Sequence, residues 1–268
     1  MLVCALGDLT LDVIVRLAQP IAAGGDTDAE TSISPGGQAA NVAAWAAALG
    51  ARARYVGKRG ADDAGVLACR GLEARGVEVV GPAEGANGII CSLVAVDGER
   101  SMLSDRGVAT EFRPDELDPV FLDGCEHLFV SGYALVREPL RETAIEAVAI
   151  ARRRRAVVSV DLSSWSVIRD SGPEAFRAIV SELQPDVVFA NEDEDRILGG
   201  SLPGVQWILK RGLRGCSFDG AERPAPPVER VVDSTGAGDA LAAGFIVGGP
   251  DLALEAAARC ISRIGSMP

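Results

Sequence analysis

The sequence predicts an α/β fold, with a mostly parallel sheet, helices on both of its faces and a small β-sheet lid outside it. Three observations carry that expectation. Short apolar runs alternate with amphipathic helical stretches along most of the chain, the signature of strand–helix–strand units. Two segments, 11–33 and 88–108, break the alternation and read as strands and turns with no helix between them. Aromatic residues make up only 4% of the chain, so Ala, Val, Leu and Gly must build a closely packed core.

In chain order, strands are expected at 2–6, 53–56, 89–96, 127–131, 156–161, 187–190, 205–210 and 216–219, where apolar runs are short. Helices are expected at 38–49, 62–75, 140–154, 173–183, 238–247 and 252–264, where the apolar period is helical. Residues 22–26 and 221–227 read as loops, and 95–100 as a hairpin turn. The arginines at 152–155 close a helix, where cations suit the macrodipole. The whole of 1–268 is expected to be one domain, with 11–33 and 88–108 as lid segments within it. Those segments are too few strands to stand alone. Their alternation suggests one apolar face, with Ile90, Leu93 and Val96 set against polar Ser92 and Asp97. Two such faces clasped about a two-fold axis would make a homodimer.

Composition narrows the function. The 268 residues carry a net charge of −12, which repels phosphate backbones and argues against a nucleic-acid partner. Six cysteines show no CxxC pair and no zinc-ligand spacing with histidine, so they read as reduced thiols of a cytoplasmic protein. No apolar stretch is long and pure enough to span a bilayer, and Met1 runs directly into a strand with no leader pattern. No membrane partner is expected. His127 is the single histidine and lies in a buried strand pattern. Any Ser-His-Asp or His-rich metal chemistry would have to be built on it alone.

Two motifs carry chemistry. In Asp233-Ser-Thr-Gly-Ala-Gly-Asp239, glycines bring backbone close to a ligand and a helix then begins, leaving unpaired N–H groups aimed into the loop. That is an anion site. A carboxylate there competes with an anion unless it has another task. The task that fits Asp239 is accepting the proton of a hydroxyl that attacks a transferring phosphoryl, with the helix dipole expected to keep it ionised. The plainer alternative is a capping aspartate. In Pro35-Gly-Gly-Gln-Ala-Ala-Asn41, Asn41 projects from a first helical turn with donor and acceptor atoms that suit a polyhydroxylated ligand. An incidental polar residue at a helix start fits as well. Neither motif is a Walker loop or a GxGxxG turn.

The paired motifs, with Gly7-Asp-Leu-Thr-Leu-Asp12 before them and Asn191-Glu-Asp-Glu194 between them, resemble the ribokinase-like (PfkB) carbohydrate kinase family over nearly the whole chain. The first matches the family's glycine-glycine-x-x-x-asparagine signature, which continues through Leu49-Gly50 and residues 56–63. The second matches aspartate-threonine-x-glycine-alanine-glycine-aspartate, with Ser234 for the usual threonine. The resemblance implies a ribokinase-like three-layer α/β/α sandwich with a β lid, and an ATP-dependent kinase that uses Mg²⁺. It implies that Asp239 is the base and that Gly236, Ala237 and Gly238 form the anion hole. Asp12, Gly37 and Asn41 would grip sugar hydroxyls. Asn191 and Glu194 would organise the nucleotide's Mg²⁺, Glu194 through water, and Lys210 and Gly212 would line the nucleotide. Asp233 and Thr235 align with positions that hold a monovalent cation, K⁺, in some members. Arg106 aligns with a contact to acidic or phosphorylated substrates; pairing with Asp105 or another carboxylate is its alternative. Three features depart from the pattern: Ser234, a shortened stretch after Glu194, and Asp161-Leu-Ser163 where many members have Asp-x-Asn. A nucleoside kinase of the same fold is an alternative, although the lid segments hold no Trp, Tyr or Phe to stack on a base. So is a non-catalytic ligand-binding relative.

Overall fold

The computed structural model describes residues 1–96 and 100–268. Thirteen strands and seven α-helices are found among them. The main sheet has nine strands in the order β13-β12-β11-β10-β9-β8-β1-β4-β5. Its central strands are β1 (Leu2–Leu6), β4 (Arg52–Val56), β8 (His127–Ser131), β9 (Val157–Asp161), β10 (Val187–Asn191) and β11 (Gln206–Lys210). They pair in parallel, as does the edge strand β5 (Val77–Val80). The other edge is antiparallel: β12 (Cys216–Phe218) and β13 (Ala221–Arg223) form a hairpin.

Successive residues of a strand point to opposite faces, and β1 shows where each face goes. Val3 and Ala5 pack with α1 (Gln38–Ala48), α2 (Asp63–Glu73) and α7 (Ala237–Ile261). Leu2, Cys4 and Leu6 pack with α3 (Leu140–Arg153) and α5 (Pro173–Leu183). Two apolar cores on either side of one sheet make a three-layer α/β/α sandwich. On the first side small residues set the spacing. Eight consecutive residues of α1, Ala39 to Ala46, are buried, and α1 packs directly on α7. α7 is also the one helix, among the described residues, long and apolar enough to cross a membrane. It is two helices joined at Gly249, whose φ of 79° is non-helical, with Pro250 following. These are the two helices expected at 238–247 and 252–264.

The lid is a separate four-stranded sheet in the order β3-β2-β6-β7. Here β2 is Thr10–Leu17, β3 is Ala29–Gly36, β6 is Asn87–Val94 and β7 is Arg100–Gly107. The sequence reading of its face needs correction. Ile90 and Leu93 are three residues apart on β6 and so lie on opposite faces. Ile90 shares its face with Ser92 and pairs with Asp12, while Val96 lies past the end of the strand. The apolar face is a different row: Val13, Ile33, Cys91 and Leu103 lie side by side across the four strands. The expected turn at 95–100, and Asp97 within it, fall outside the described residues at 97–99.

Four short elements escaped the sequence reading. β5 is four residues long and Val-Glu-Val-Val gives no clear period. β13, within the expected loop 221–227, is held by pairing to β12 and not by its own propensity. α4 (Trp165–Ser171) is a two-turn helix behind a serine N-cap. α6 (Glu192–Leu198), directly after the Asn191 motif, is equally short, as the truncated stretch there implies.

Candidate active site

The loop before α7 is fixed at both ends. Asp233 Oδ1 accepts from the amide and hydroxyl of Thr235 at 2.8 and 2.7 Å, and Oδ2 accepts from Gly265 N at 3.0 Å. Gly236 takes the left-handed region at φ 76°, and a Cβ there would stand 2.6 Å from Ser266 Cβ. The helix opens at Ala237, so the first-turn N–H groups of Gly238 and Asp239 have no intrahelical acceptor and face the loop.

Asp239 stands in that first turn. Its Oδ2 accepts from Asn41 Nδ2 at 2.7 Å, across from α1. Burial pushes its carboxyl up, the Asn41 hydrogen bond pulls it down, Asp161 pushes it up, Lys210 pulls it down and Asp8 adds a further push. The result is about 7. The sequence expectation that the helix dipole leaves this carboxylate ionised and a weak base omits desolvation, which outweighs a dipole effect of about 1 kcal/mol and raises its basicity. A carboxylate near neutrality is a better base than an ordinary aspartate.

Around the second motif, Gly37 lies at φ 97°, and a Cβ on it would fall 2.4 Å from Asp8 O. The turn brings Gln38 N to Asp8 Oδ1 at 3.1 Å. Asp8 Oδ2 takes Arg106 Nη1 at 2.7 Å, and the Arg106 guanidinium lies 3.8 Å from the centre of the Tyr133 ring. Of the two expectations for Arg106, the structure shows a carboxylate partner, and it is Asp8; Asp105 instead accepts from Gly107 N. Asp12 accepts from Thr10 Oγ1 at 2.8 Å. Burial pushes its carboxyl up to about 6, against that hydrogen bond, with Asp8 raising it and Arg106 lowering it. Asn41 is buried, and its amide is engaged at both ends, by Asp239 and by Ser266 Oγ at 3.0 Å.

Near the glycine loop, Lys210 Nζ donates to the buried Asp161 Oδ2 at 2.7 Å. It reaches to 3.4 Å from where a Cβ of Gly238 would be, so it overlooks the glycine loop. Burial alone would lower the Lys210 ammonium; Asp161 and Glu194 outweigh it and raise it. Glu194 is buried and pushed up by desolvation, with Lys210 opposing and Asp161 adding to the rise. Its two oxygens accept from Asn191 N and Nδ2, both at 2.7 Å, while Asn191 Oδ1 caps α6. A cavity of about 560 Å³ opens here, lined by Lys210, Gly212, Leu213, Pro226, Ser234, Gly238 and Leu254 among others. A largely apolar cavity that shares Lys210 and Gly238 with the glycine loop suits a flat heterocycle that carries a phosphate chain.

Four of the residues singled out in the sequence, Asp12, Lys210, Glu194 and Asp239, join with Asp8 and Asp161 in one continuous array of charged groups. Asp12, Asp8, Asp239, Asp161, Lys210 and Glu194 each feel the next. Asp8 and Asp161 were not singled out as site residues, nor was Gln38, whose Oε1 accepts from Ser131 and Ser163 Oγ, both at 2.6 Å. Asp8 was legible, since it stands in Gly7-Asp-Leu-Thr-Leu-Asp12 beside Asp12. The Ser131–Gln38–Ser163 cluster had no local signal. His127 takes no part: it is buried against Ser159 Oγ at 2.9 Å, and burial lowers it to about 4.

Among the described residues no three His, Cys, Asp or Glu side chains form a metal cluster. Glu194 is turned back onto its own helix start. The set fits a hydrated divalent ion held chiefly by phosphate oxygens, and does not fit direct ligation. Asp233 spends both oxygens on its own turn and on Gly265, so a monovalent cation would have to share it.

Comparison with known proteins agrees with this geometry. The family model for pfkB family carbohydrate kinases matches residues 1–267. The chain is 33% identical to the ATP-dependent ribose-1-phosphate kinase of Halopiger xanaduensis, over 96% of this chain and 90% of that one. It is 29% identical to fructokinase-1 of Oryza sativa subsp. japonica, over 89% of this chain and 80% of the relative. Among solved structures, adenosine kinase from Sinorhizobium meliloti superposes with a TM-score of 0.86 at 25% identity, covering 99% of this chain and 95% of that one. With the three-layer sandwich, its lid and the two glycine motifs in place, the chain belongs to the pfkB family of carbohydrate kinases, ATP-dependent phosphotransferases that act on an alcohol group.

Proposed function

We propose that the chain transfers the γ-phosphoryl of ATP to a hydroxyl of a small sugar or sugar-like acceptor, with Asp239 as the base. The observation that carries this is the carboxylate of Asp239, tuned to about 7 in the first turn of a helix whose N–H groups face a glycine loop. In the reaction an acceptor oxygen bonds to the γ-phosphorus and its proton passes to Asp239. The bond from the γ-phosphorus to the bridging oxygen breaks, and ADP leaves with that electron pair. Backbone N–H groups of the Gly236–Ala237–Gly238 turn and the Lys210 ammonium offset charge on the transferring group. Gly212 and the apolar cavity seat the nucleotide. Mg²⁺, held by the phosphates with Asn191 and Glu194 acting through its waters, would supply charge neutralisation at the transferring phosphoryl. Five carboxyls (Asp8, Asp12, Asp161, Glu194, Asp239) face two cations (Arg106, Lys210) in this array. That imbalance favours a nucleotide that brings positive charge with it.

Asp12, Gly37, Asn41 and Arg106 form the acceptor end. The Halopiger relative is named for a phosphorylated sugar. Arg106 and the exposed Arg137 line one groove, which suits an acceptor carrying an anionic group. A nucleoside acceptor is the second reading, supported by the likeness to an adenosine kinase and opposed by a lid without aromatic residues. Release of ADP measured against sugars, sugar phosphates, sugar acids and nucleosides decides between them. Turnover of none would refute the proposed function.

The apolar row Val13, Ile33, Cys91 and Leu103 on the lid supports a homodimer; Ile33 and Leu103 are 57% and 54% exposed. Light scattering showing only 27.8 kDa would refute it. The six unpaired cysteines suit a cytoplasmic setting, and K⁺ bound beside Asp233 and Thr235 is tested by titrating activity with KCl against NaCl.

A further inference from the structure

Residues 265–267 run back beneath the glycine loop. Ser266 and Met267 are 3% and 6% exposed. Trp45 Nε1 donates to Ser266 O at 2.8 Å, and Gly265 N donates to Asp233 Oδ2 at 3.0 Å. Gly236 approaches Ser266 so closely that no Cβ fits between them. The segment therefore touches α1 and the loop before α7 at once, the two elements that meet at Asp239.

The contact that matters is with Asn41. A carboxamide donates from one end and accepts at the other. Asn41 Nδ2 donates to Asp239 Oδ2 at 2.7 Å, and Asn41 Oδ1 accepts from Ser266 Oγ at 3.0 Å. Asn41 is 6% exposed, so water is a poor substitute for either partner. An ionised Asp239 can only accept, which puts Nδ2 on its side and leaves Oδ1 in need of a donor. The Ser266 hydroxyl is that donor.

We propose that Ser266 is a positioning residue for phosphoryl transfer, holding through Asn41 an amide N–H on the carboxylate that takes the acceptor's proton. The inference rests on the reading of Asp239 as the base. Remove the hydroxyl, and Oδ1 is left buried without a donor; the amide gains freedom to turn and Asp239 loses a hydrogen bond that favours its charged form. The other groups facing Asp239 remain: Asp161 and Lys210 from the ends of β9 and β11, Asp8 from the loop after β1, Tyr133 after β8, and Cys260 from α7. Of these only Lys210 also favours ionisation, so the loss is not made good.

The test is the pH profile of kcat. In Ser266→Ala the acid limb should move up by about half to one pH unit, a roughly three- to tenfold loss on the acid side that vanishes at alkaline pH. KM for ATP should stay unchanged. Ser266→Thr, which keeps the hydroxyl, should restore the wild-type limb. Ser266→Cys, a weaker donor of similar size, should move it less than Ala and in the same direction, and it serves if the Ala variant does not fold. A profile that superimposes on wild type, or a kcat lowered by the same factor at every pH, overturns the inference. Asp239→Asn is run beside these variants. If it stays active, the base assignment and the inference fall together; if it is dead while Ser266→Ala does not shift the limb, only the role of Ser266 falls.

Discussion

Replacing Asp239 by Asn tests the base and the electrostatics of the site together. The side chains are isosteric, and an Asn oxygen can still accept from Asn41 Nδ2, so the geometry around α1 and α7 should survive. The ability to take a proton is lost, and kcat should fall roughly 10²–10⁴-fold, the scale of a positioned general base, with KM for ATP little changed. Stability should move the other way. The carboxyl is raised from 3.8 to about 7 by burial and by neighbouring carboxylates. A raised folded-state value means that this group's contribution to stability is fully present below about pH 4 and is lost as pH rises through about 7. Above that, the wild type bears a partly buried negative charge, and Asn does not. The full shift would convert to about 4 kcal/mol. Asp239 keeps some solvent exposure, so we expect about 1–2 kcal/mol after screening, or a few degrees in Tm at pH 8 for a chain of this size. At pH 4 the two proteins should melt alike. The assays are steady-state kinetics and thermal melting at both pH values. A near-normal kcat in the folded variant would remove Asp239 from the chemistry, and a lower Tm at pH 8 would refute the charge-burial argument.

Three further outcomes are expected. Wild-type kcat should fall with an acid limb near pH 7, approaching tenfold per unit below it; His127→Gln should leave that limb in place, since the only histidine is already lowered to about 4. Lys210→Met should strand the buried Asp161 and cost about 3–5 kcal/mol while raising KM for ATP, both read from denaturant unfolding and kinetics; an unchanged ATP KM would place the nucleotide elsewhere. Gly37→Ala forces a side chain into a φ of 97° and to 2.4 Å from Asp8 O, so it should cost about 1–3 kcal/mol in strain alone and raise KM for the acceptor more than for ATP, and equal effects on both would mean that the turn does not serve the acceptor.

Much of this molecule could be read from its residues because the informative features are local. Strands such as Leu2–Leu6 and His127–Ser131 are short apolar runs, and both glycine motifs open helices as expected. What was missed depends on partners distant in sequence. β13 exists because β12 offers it an edge, and the lid's apolar face depends on a register that a one-residue slip inverts. The tuning of Asp239 depends on distant partners in the same way. Its helix start is visible in the sequence, but Asp161 and Asp8, which raise it, and the packing that dries it come from the ends of other strands.

The acid excess of the site ties its stability to its function. Asp12, Glu194 and Asp239 are all raised by burial, so each weakens the folded state when ionised at neutral pH. On the proposed reading, the positive charge that this array lacks arrives with the nucleotide. A site already neutral would hold Mg²⁺–ATP less well, and a site with surplus cations would bind free phosphate. Lys210 shows the balance: it is held between Asp161 and Glu194, so it can overlook Gly238 without drawing an anion into the loop by itself. On the proposed reading, the site is matched to a ligand that carries both a phosphate chain and its counter-ion, with the carboxylate of Asp239 at the start of α7 taking the proton.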